Sequence, residues 1–251
     1  MLLQSQLFGQ ITVDTKNLKD IPHYWPQMKA LDLPRYQFTA REIRSGLKFL
    51  AYASEQTATN ACLFATILCE HLQACGLDLD GMRFQSDNGH EFIGGRRGDG
   101  TRDGFGPTVE ALGAVHRRIP VKAWGYNSDV ETVHRTIEDE FFDLENFLNA
   151  KDFLRRIATS LAWYNILRPN MNKDNLSPWQ IIQRLQPDAS PNLPRLPPLM
   201  LDWLAPDYMA RDEIRLRGYD VPCHPLSLPN KSGPRWIRTT DQGIMSPNSR
   251  L

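Results

Sequence analysis

Hydrophobic and polar residues alternate in two short stretches of the chain, and each stretch contains an aspartate. In residues 10–16, isoleucine and valine alternate with polar residues that include Asp14. In residues 82–87, methionine and phenylalanine alternate with polar residues that end at Asp87. A period of two is typical of a half-buried β-strand. Because aspartate is disfavoured within strands, both positions call for a specific explanation.

Three further stretches predict strands. Residues 36–43 and 47–53 are rich in strand-forming residues and are separated by Ser45-Gly46, which favours a hairpin turn. Residues 115–123 form a fifth candidate strand. Residues 20–26 contain two prolines, which favour a turn. We therefore expect a five-stranded mixed sheet in which strands one to three are antiparallel.

Helices are predicted between these strands and after them. Residues 57–75 are apolar on most sides, as in a helix buried against a sheet, with Thr57 or Thr59 as N-cap and Gly76 just beyond the end. Residues 152–167 predict an amphipathic helix. Two more helices follow from the apolar period of 130–148 and from the capping box, with proline at the first helical position, in 177–180.

The helix predicted from Val130 to Leu148 carries a third acidic residue of interest. Its apolar residues recur at steps of three or four. At about 100° per residue, Glu131, Arg135 and Glu138 share one flank, about a right angle from the apolar stripe. This flank can therefore face a cleft while the stripe packs against the core.

Together, Asp14, Asp87 and Glu131 are candidate ligands of one metal site. A carboxylate held against the core at the end of a strand costs free energy unless a cation or a hydrogen-bond donor compensates it. Hard cations such as Mg²⁺ prefer carboxylate oxygens. The four cysteines form no CxxC pair, so the sequence indicates an oxygen-ligand site rather than a zinc site.

Four motifs of the chain resemble those of a known family. They are VDT ending at Thr15, SDNG ending at Gly89 and followed by Glu91-Phe, VExxHRT beginning at Val130, and YNILRP beginning at Tyr164. This set is similar to the catalytic core of retroviral-integrase-like DDE transposases, the integrase core domain of bacterial insertion-sequence transposases. The resemblance covers roughly residues 8–186.

The resemblance implies a ribonuclease H-like α/β fold with Asp14, Asp87 and Glu131 as the catalytic and metal-binding triad. Two Mg²⁺ or Mn²⁺ ions about 3.5–4 Å apart would activate a water or a DNA 3′-hydroxyl for in-line attack on a phosphodiester. The implied activity is that of a DDE-type polynucleotidyl transferase, which cleaves DNA and transfers strands during transposition. The implied partners are transposon ends, target DNA and further copies of the chain.

Local basic patches would have to provide DNA affinity, because 29 basic and 29 acidic residues give a net charge of zero. Arg135, one turn after Glu131, is the best candidate for a phosphate contact. His134 lies closer to the apolar stripe and is either a DNA contact or a structural residue. For the basic residues of the fifth strand, a solvated strand face is the alternative. The other candidate DNA contacts are Asn88, His116, Arg117, Arg118 and Lys122.

The expected organisation is a catalytic core (1–186), a proline-rich linker (187–198), a small C-terminal appendage (199–230) and a disordered tail (231–251). Only 13 residues precede Asp14, where relatives usually carry a DNA-recognition region. The chain therefore resembles an N-terminally truncated transposase. The alternative function is a transposase remnant that folds and binds DNA without productive catalysis.

The chain has neither a signal-peptide pattern nor an apolar span near 20 residues. We therefore expect a bacterial cytoplasmic protein without a membrane partner, associated with the nucleoid when bound to DNA. Residues 94–107 are rich in glycine and charge, which predicts a flexible loop between the second and third acids.

Overall fold

A computed structural model describes residues 6–93, 104–120 and 128–205, and for residues 128–131 it describes the backbone only. Several predicted features lie outside these residues. They are most of the glycine-rich loop, Lys122, the side chain of Glu131, most of the expected appendage and the whole expected tail.

Six strands form one mixed sheet in the order β5-β4-β1-β2-β3-β6. Strands β1, β2 and β3 are an antiparallel meander, and β4 and β5 extend it on the β1 side as parallel strands. This arrangement, flanked by helices, is the ribonuclease H-like fold, which confirms the predicted fold class. The strands are β1 (Gln10–Asn17), β2 (Tyr36–Glu42), β3 (Lys48–Ala53), β4 (Arg83–Ser86), β5 (Val115–Arg118) and β6 (Leu199–Met200).

Six α-helices lie between residues 24 and 185, and residues 201–205 are also helical. Helix α4 continues into a π-helical turn at Glu138–Phe142. Short 3₁₀ turns occur at Leu18–Asp20, Met171–Lys173 and Leu193–Arg195. The α-helices are α1 (Tyr24–Leu31), α2 (Ala58–Ala74), α3 (Phe105–Ala111), α4 (Ser128–Ile137), α5 (Ala150–Ile166) and α6 (Pro178–Leu185).

The helices bury both faces of the sheet. On one face, Phe64 of α2 packs edge-on against Phe38 of β2, with ring centroids 6.4 Å apart. On the other face, Tyr52 of β3 packs against Phe153 of α5 at 5.1 Å. Tyr24 of α1 and residues from α4 and its π-helical turn belong to this second cluster. The alternating orientation of strand residues thus separates two apolar layers, one on each side of the sheet.

Local capping fixes the ends of two helices as predicted. The Thr57 side chain accepts a hydrogen bond from the Asn60 backbone at the start of α2, and Gly76 adopts φ +86° just after its end. Ser177 and Gln180 form a reciprocal capping box at the start of α6.

The helix predicted to run to Leu148 is shorter than expected. Its helical path ends at Phe142, and Leu144 and Leu148 are 69% and 75% exposed. The chain leaves the helix here because Phe147 enters the core and the Asn149 side chain caps α5 by accepting from the Asp152 backbone. Apolar periodicity alone therefore overextended the helix.

Part of the proline-rich stretch expected as a linker packs against the fold, where the Leu193 carbonyl lies 3.1 Å from Nε2 of His71 on α2. Leu193 and Leu196 within it are buried. Immediately afterwards, β6 pairs with β3 through Leu199 and Met200, so the sheet has six strands rather than the predicted five. The Asp202 carboxylate then accepts hydrogen bonds from the backbone and hydroxyl of Ser54.

None of the helices in the described part of the chain has the length and apolar character that crossing a bilayer requires.

Candidate active site

Asp14 and Asp87 lie side by side on two neighbouring inner strands, at the point where β4 ends beside β1. Val13 of β1 and Ser86 of β4 are register partners in a parallel pair. Asp14 is the next residue of β1, and Asp87 is the first residue after β4. The Asp14 side chain is 14% exposed, and Asp87 is half-buried. Two carboxylates that the sequence separates by 73 residues are thus brought together by the pairing of β1 with β4.

The loop after β4 holds Asp87 in a defined orientation. Its Oδ1 accepts a hydrogen bond from the Gly89 backbone N–H at 2.8 Å. Burial raises the pKa of the Asp87 carboxyl and a nearby Glu91 carboxylate raises it further, while the Gly89 hydrogen bond opposes both. The Asn88 amide donates to the Ile119 carbonyl at 2.8 Å, which ties the loop to the end of β5. Asn88 therefore makes a structural contact within the fold.

Asp14 is covered by helix α4. Its Oδ1 accepts a hydrogen bond from the Thr15 backbone at 2.8 Å, and its Oδ2 lies 3.9 Å from Nδ1 of His134. Nε2 of the same ring lies 3.2 Å from the hydroxyl of Thr39, which is the register partner of Asp14 on β2. His134 thus fixes α4 against the two strands beside Asp14.

His134 is a neutral, buried side chain at neutral pH. Burial lowers its pKa to about 4, and the positive charges of Lys16 and Lys48 act in the same direction. These effects outweigh the attraction of the Asp14 carboxylate at 3.9 Å, so the contact is polar rather than an ion pair. Its described contacts are with Asp14 and Thr39 of the fold, and the DNA contact of His134 stays a prediction.

Glu131 lies one turn before His134 on α4, and its side chain is outside the described part of the structure. Helix α4, which carries Glu131, therefore packs beside β1, which carries Asp14. Among the side chains that the structure describes, no three histidines, cysteines, aspartates or glutamates converge closely enough to hold a metal ion. A three-carboxylate site depends on Glu131.

A polar cavity of about 420 Å³ adjoins Asp14 through His134. Within it, Lys16 and Glu138 form an ion pair at 3.2 Å, and Arg135 is exposed. An exposed guanidinium in a groove next to a carboxylate pair is well placed to contact a phosphate. The cavity is lined by Lys16, His134, Arg135, Glu138 and Asp139.

The basic patch predicted on β5 is divided by the structure. His116 is partly buried, with Nε2 2.9 Å from the Ser86 hydroxyl and its ring 5.0 Å from that of Phe105. Burial lowers the pKa of His116 to about 4, and Arg118 acts in the same direction, so the ring is neutral at neutral pH. Arg117 and Arg118 are exposed on opposite sides of the strand. His116 therefore supports the residue before Asp87, and the arginines remain the cationic part of the patch.

The chain was compared with protein families, curated proteins and solved structures, and only solved structures match it. No protein-family model matches the chain, and no curated protein matches it. Among solved structures, the chain is similar to the catalytic core domain of BIV integrase, with 16% identity and a TM-score of 0.45 over 71% of this chain and 95% of that chain. Because this identity and this TM-score are low, the fold is assigned from the strand order and register alone.

Two residues near Asp87 were missed as site residues by the sequence analysis. Glu91, in the loop after β4, is 2% exposed, and Gln56, just before α2, donates to its Oε1 at 2.7 Å. Glu91 lies two residues after the SDNG motif, but nothing in the sequence shows that it is buried. Its burial depends on a loop contact across 35 positions of the chain.

The described carboxylates fit a hard divalent cation. Asp14 and Asp87 offer oxygen ligands at adjacent positions. Burial raises the pKa of Asp87, so the surrounding groups do not fully offset the cost of burying its negative charge. A bound cation would supply that compensation. Mg²⁺ commonly binds through one or two carboxylates and retains several waters, so this pair suits it.

Proposed function

We propose that the chain is a DNA transposase or integrase catalytic core that performs divalent-metal-dependent strand cleavage and strand transfer. The observation that carries this proposal is the juxtaposition of Asp14 and Asp87 on adjacent parallel strands, beneath the helix that bears Glu131. Carboxylates on two strands and one helix at the edge of a mixed sheet suit two-metal chemistry on a phosphodiester.

Each described side chain has a defined task in this proposal. Asp14 and Asp87, with Glu131, would hold Mg²⁺ or Mn²⁺, which supplies activation of the attacking hydroxyl and stabilisation of the leaving oxygen. The buried His134 side chain holds Asp14 against α4. Arg135, in the adjoining cavity, donates to a DNA phosphate.

The proposed partner is DNA, both the ends of a mobile element and its target. Arg117 and Arg118, at the end of β5, lie one strand away from Asp87 and supply exposed positive charge for the sugar-phosphate backbone. Strand transfer joins two DNA ends to one target, so several copies of the chain would act together on the DNA.

The test is Mn²⁺-dependent nicking of a branched DNA substrate by the purified full chain. Asp14→Asn, Asp87→Asn and Glu131→Gln each keep the side-chain shape and remove one metal-binding charge. We expect each variant to lose activity by about 100-fold or more, because a metal ion contributes several kcal/mol to the transition state. Glu110→Gln, an exposed carboxylate on α3, is the matched control and should keep full activity.

Two results would overturn the proposal. One is a folded wild-type chain that binds Mn²⁺ but does not nick DNA, which would leave the transposase remnant as the function. The other is nicking that survives Asp14→Asn and Asp87→Asn, which would place the activity at another site or in a contaminant.

A further inference from the structure

Glu91 is a buried carboxylate beside Asp87 whose two oxygens have different surroundings. Its Oε1 accepts a hydrogen bond from the Gln56 side chain at 2.7 Å. The backbone carbonyl oxygen of Gln56 lies 2.8 Å from Nε2 of His90. These two contacts join the loop after β4 to the loop before α2, and they set the plane of the Glu91 carboxylate.

The second oxygen, Oε2, is buried and has no hydrogen-bond partner. Nδ1 of His90 lies 3.5 Å from this oxygen, on a side chain that is 71% exposed. A buried carboxylate oxygen without a partner costs several kcal/mol unless a proton or a cation compensates it. The fold therefore keeps a buried carboxylate oxygen without a hydrogen-bond partner at a fixed position.

Gly89 shows where this oxygen is directed. A Cβ added at Gly89 would lie 2.6 Å from Oε2 of Glu91 and 3.0 Å from Oδ1 of Asp87. Oxygens from two carboxylates thus lie close to the Gly89 Cα, and a side chain at this position would displace them. Two negative groups in this arrangement repel each other, and a shared cation removes the repulsion.

We propose that Glu91 is a further metal-ligating residue, and that its Oε2 and the Asp87 carboxylate share one divalent cation of the Mg²⁺ or Mn²⁺ class beside Gly89. Two carboxylates and several waters are an ordinary ligand set for Mg²⁺. The Gln56 amide is the outer partner that orients the ligating carboxylate. The inference rests on the proposed function only in treating Asp87 as a metal ligand.

The test is direct measurement of Mn²⁺ binding to the full chain, by electron paramagnetic resonance of the free ion and by calorimetry, without DNA. Glu91→Gln keeps the oxygen that accepts from Gln56 and removes the charge. We expect Glu91→Gln to lose one bound Mn²⁺ or to weaken its binding by about 10-fold to 100-fold. Gly89→Ala, whose Cβ would push both carboxylate oxygens aside, should lose the same ion. Glu110→Gln should bind like the wild type.

Gln56→Leu separates ligation from a purely structural role. It breaks the contact that orients the Glu91 carboxylate but keeps both ligating charges, so it should keep the number of bound Mn²⁺ ions and weaken their binding less than Glu91→Gln does. The proposal is overturned if Glu91→Gln binds Mn²⁺ like the wild type, or if Gln56→Leu reduces Mn²⁺ binding as much as Glu91→Gln does.

The outcome is independent of the nicking assay. If no DNA is nicked but Glu91→Gln still removes a bound ion, the proposed function fails and the metal site stands. If nicking depends on Asp14 while Glu91→Gln binds Mn²⁺ normally, the proposed function stands and the Glu91 site fails. If Glu91→Gln does not fold, Glu91→Asp, which keeps the charge on a shorter side chain, should bind the ion more weakly. Unchanged binding in Glu91→Asp and in Gly89→Ala would then overturn the proposal.

Discussion

Nδ1 of His134 lies 3.9 Å from Oδ2 of Asp14, and the other nitrogen of the ring lies 3.2 Å from the hydroxyl of Thr39. Since Asp14 and Thr39 are register partners on β1 and β2, one neutral ring connects a helix to two strands at the candidate site. This ring is thus one of the contacts that hold α4, the helix of Glu131, against the sheet.

This contact predicts a specific loss of stability in mild acid. The pKa of His134 falls from 6.5 to about 4 on folding, so the unfolded chain binds more protons than the folded chain between these values. The stability that the neutral ring provides is complete above pH 6.5 and is lost as the pH falls towards 4. The free energy of unfolding should fall by about 2 kcal/mol more in the wild type than in His134→Gln between about pH 7.5 and pH 5.

Urea unfolding at the two pH values measures this difference. His116 titrates in the same range but is present in both proteins, so its contribution cancels. Equal acid sensitivity in the wild type and His134→Gln would show that His134 does not titrate as its burial indicates.

Lys48 should be replaceable with a gain in stability. Its side chain is 3% exposed, and its ammonium lies 3.2 Å from the centroid of the Tyr164 ring. Burial lowers the pKa of Lys48 well below 10.5 and the positive charge of Arg168 adds to this, while Glu140 opposes it. On folding at neutral pH, Lys48 must therefore either lose its proton or bury its positive charge, and both cost free energy.

Lys48→Met keeps the length of the side chain and removes the ionisable group. We expect the free energy of unfolding to rise by about 1–3 kcal/mol at neutral pH. The gain should shrink as the pH rises towards 10.5, where the unfolded chain also loses the proton. Lys151→Met, at an exposed position on α5, is the control. A loss of stability in Lys48→Met would mean that the ammonium–Tyr164 contact outweighs the cost of burial.

Glu42 should be one of the most sensitive positions for stability. Its fully buried carboxylate accepts hydrogen bonds from the backbones of Phe8, Arg44 and Ser45 and from the Ser45 hydroxyl, at 2.5–3.1 Å. Glu42→Gln would turn an amide donor towards some of these donors. The free energy of unfolding should fall by about 2–4 kcal/mol, measured by urea denaturation. Glu55→Gln, at an exposed position, should change it little.

Arg135→Ala should weaken DNA binding in a salt-dependent way. If Arg135 contacts one phosphate, its removal lowers the slope of log affinity against log salt by about one and weakens binding to all sequences alike. Fluorescence anisotropy over a series of salt concentrations measures the slope. Arg184→Ala, at a 71% exposed position on α6, is the control. An unchanged slope in Arg135→Ala would exclude the phosphate contact.

The parts of the fold with strong local signals could be predicted from the sequence. Alternation around Asp14 and Asp87 located β1 and β4, and the residues that cap α2 and α6 fixed the starts of those helices. In these places the conformation depends on neighbouring residues, so a short window of sequence contains the needed information.

Other elements depend on contacts that no short window contains. Helix α1 was interpreted as a turn because of two prolines, yet Pro26 lies in its first turn, where a missing N–H removes no helical hydrogen bond. Strand β6 has two residues, too few to show a period, and forms because β3 offers a free edge. The burial of Glu91 likewise follows from its contact with Gln56.

The pairing of β6 with β3 has a practical consequence for making the protein. A fragment that stopped after α6 would leave the backbone N–H and C=O groups of Ala51 and Tyr52 without strand partners on that side. Unpaired edges of this kind recruit strands from other molecules, so such a fragment should aggregate during expression. A fragment that extends to residue 205 includes β6, which pairs with the edge of β3. For crystallisation, this fragment is therefore preferable to one that ends after α6.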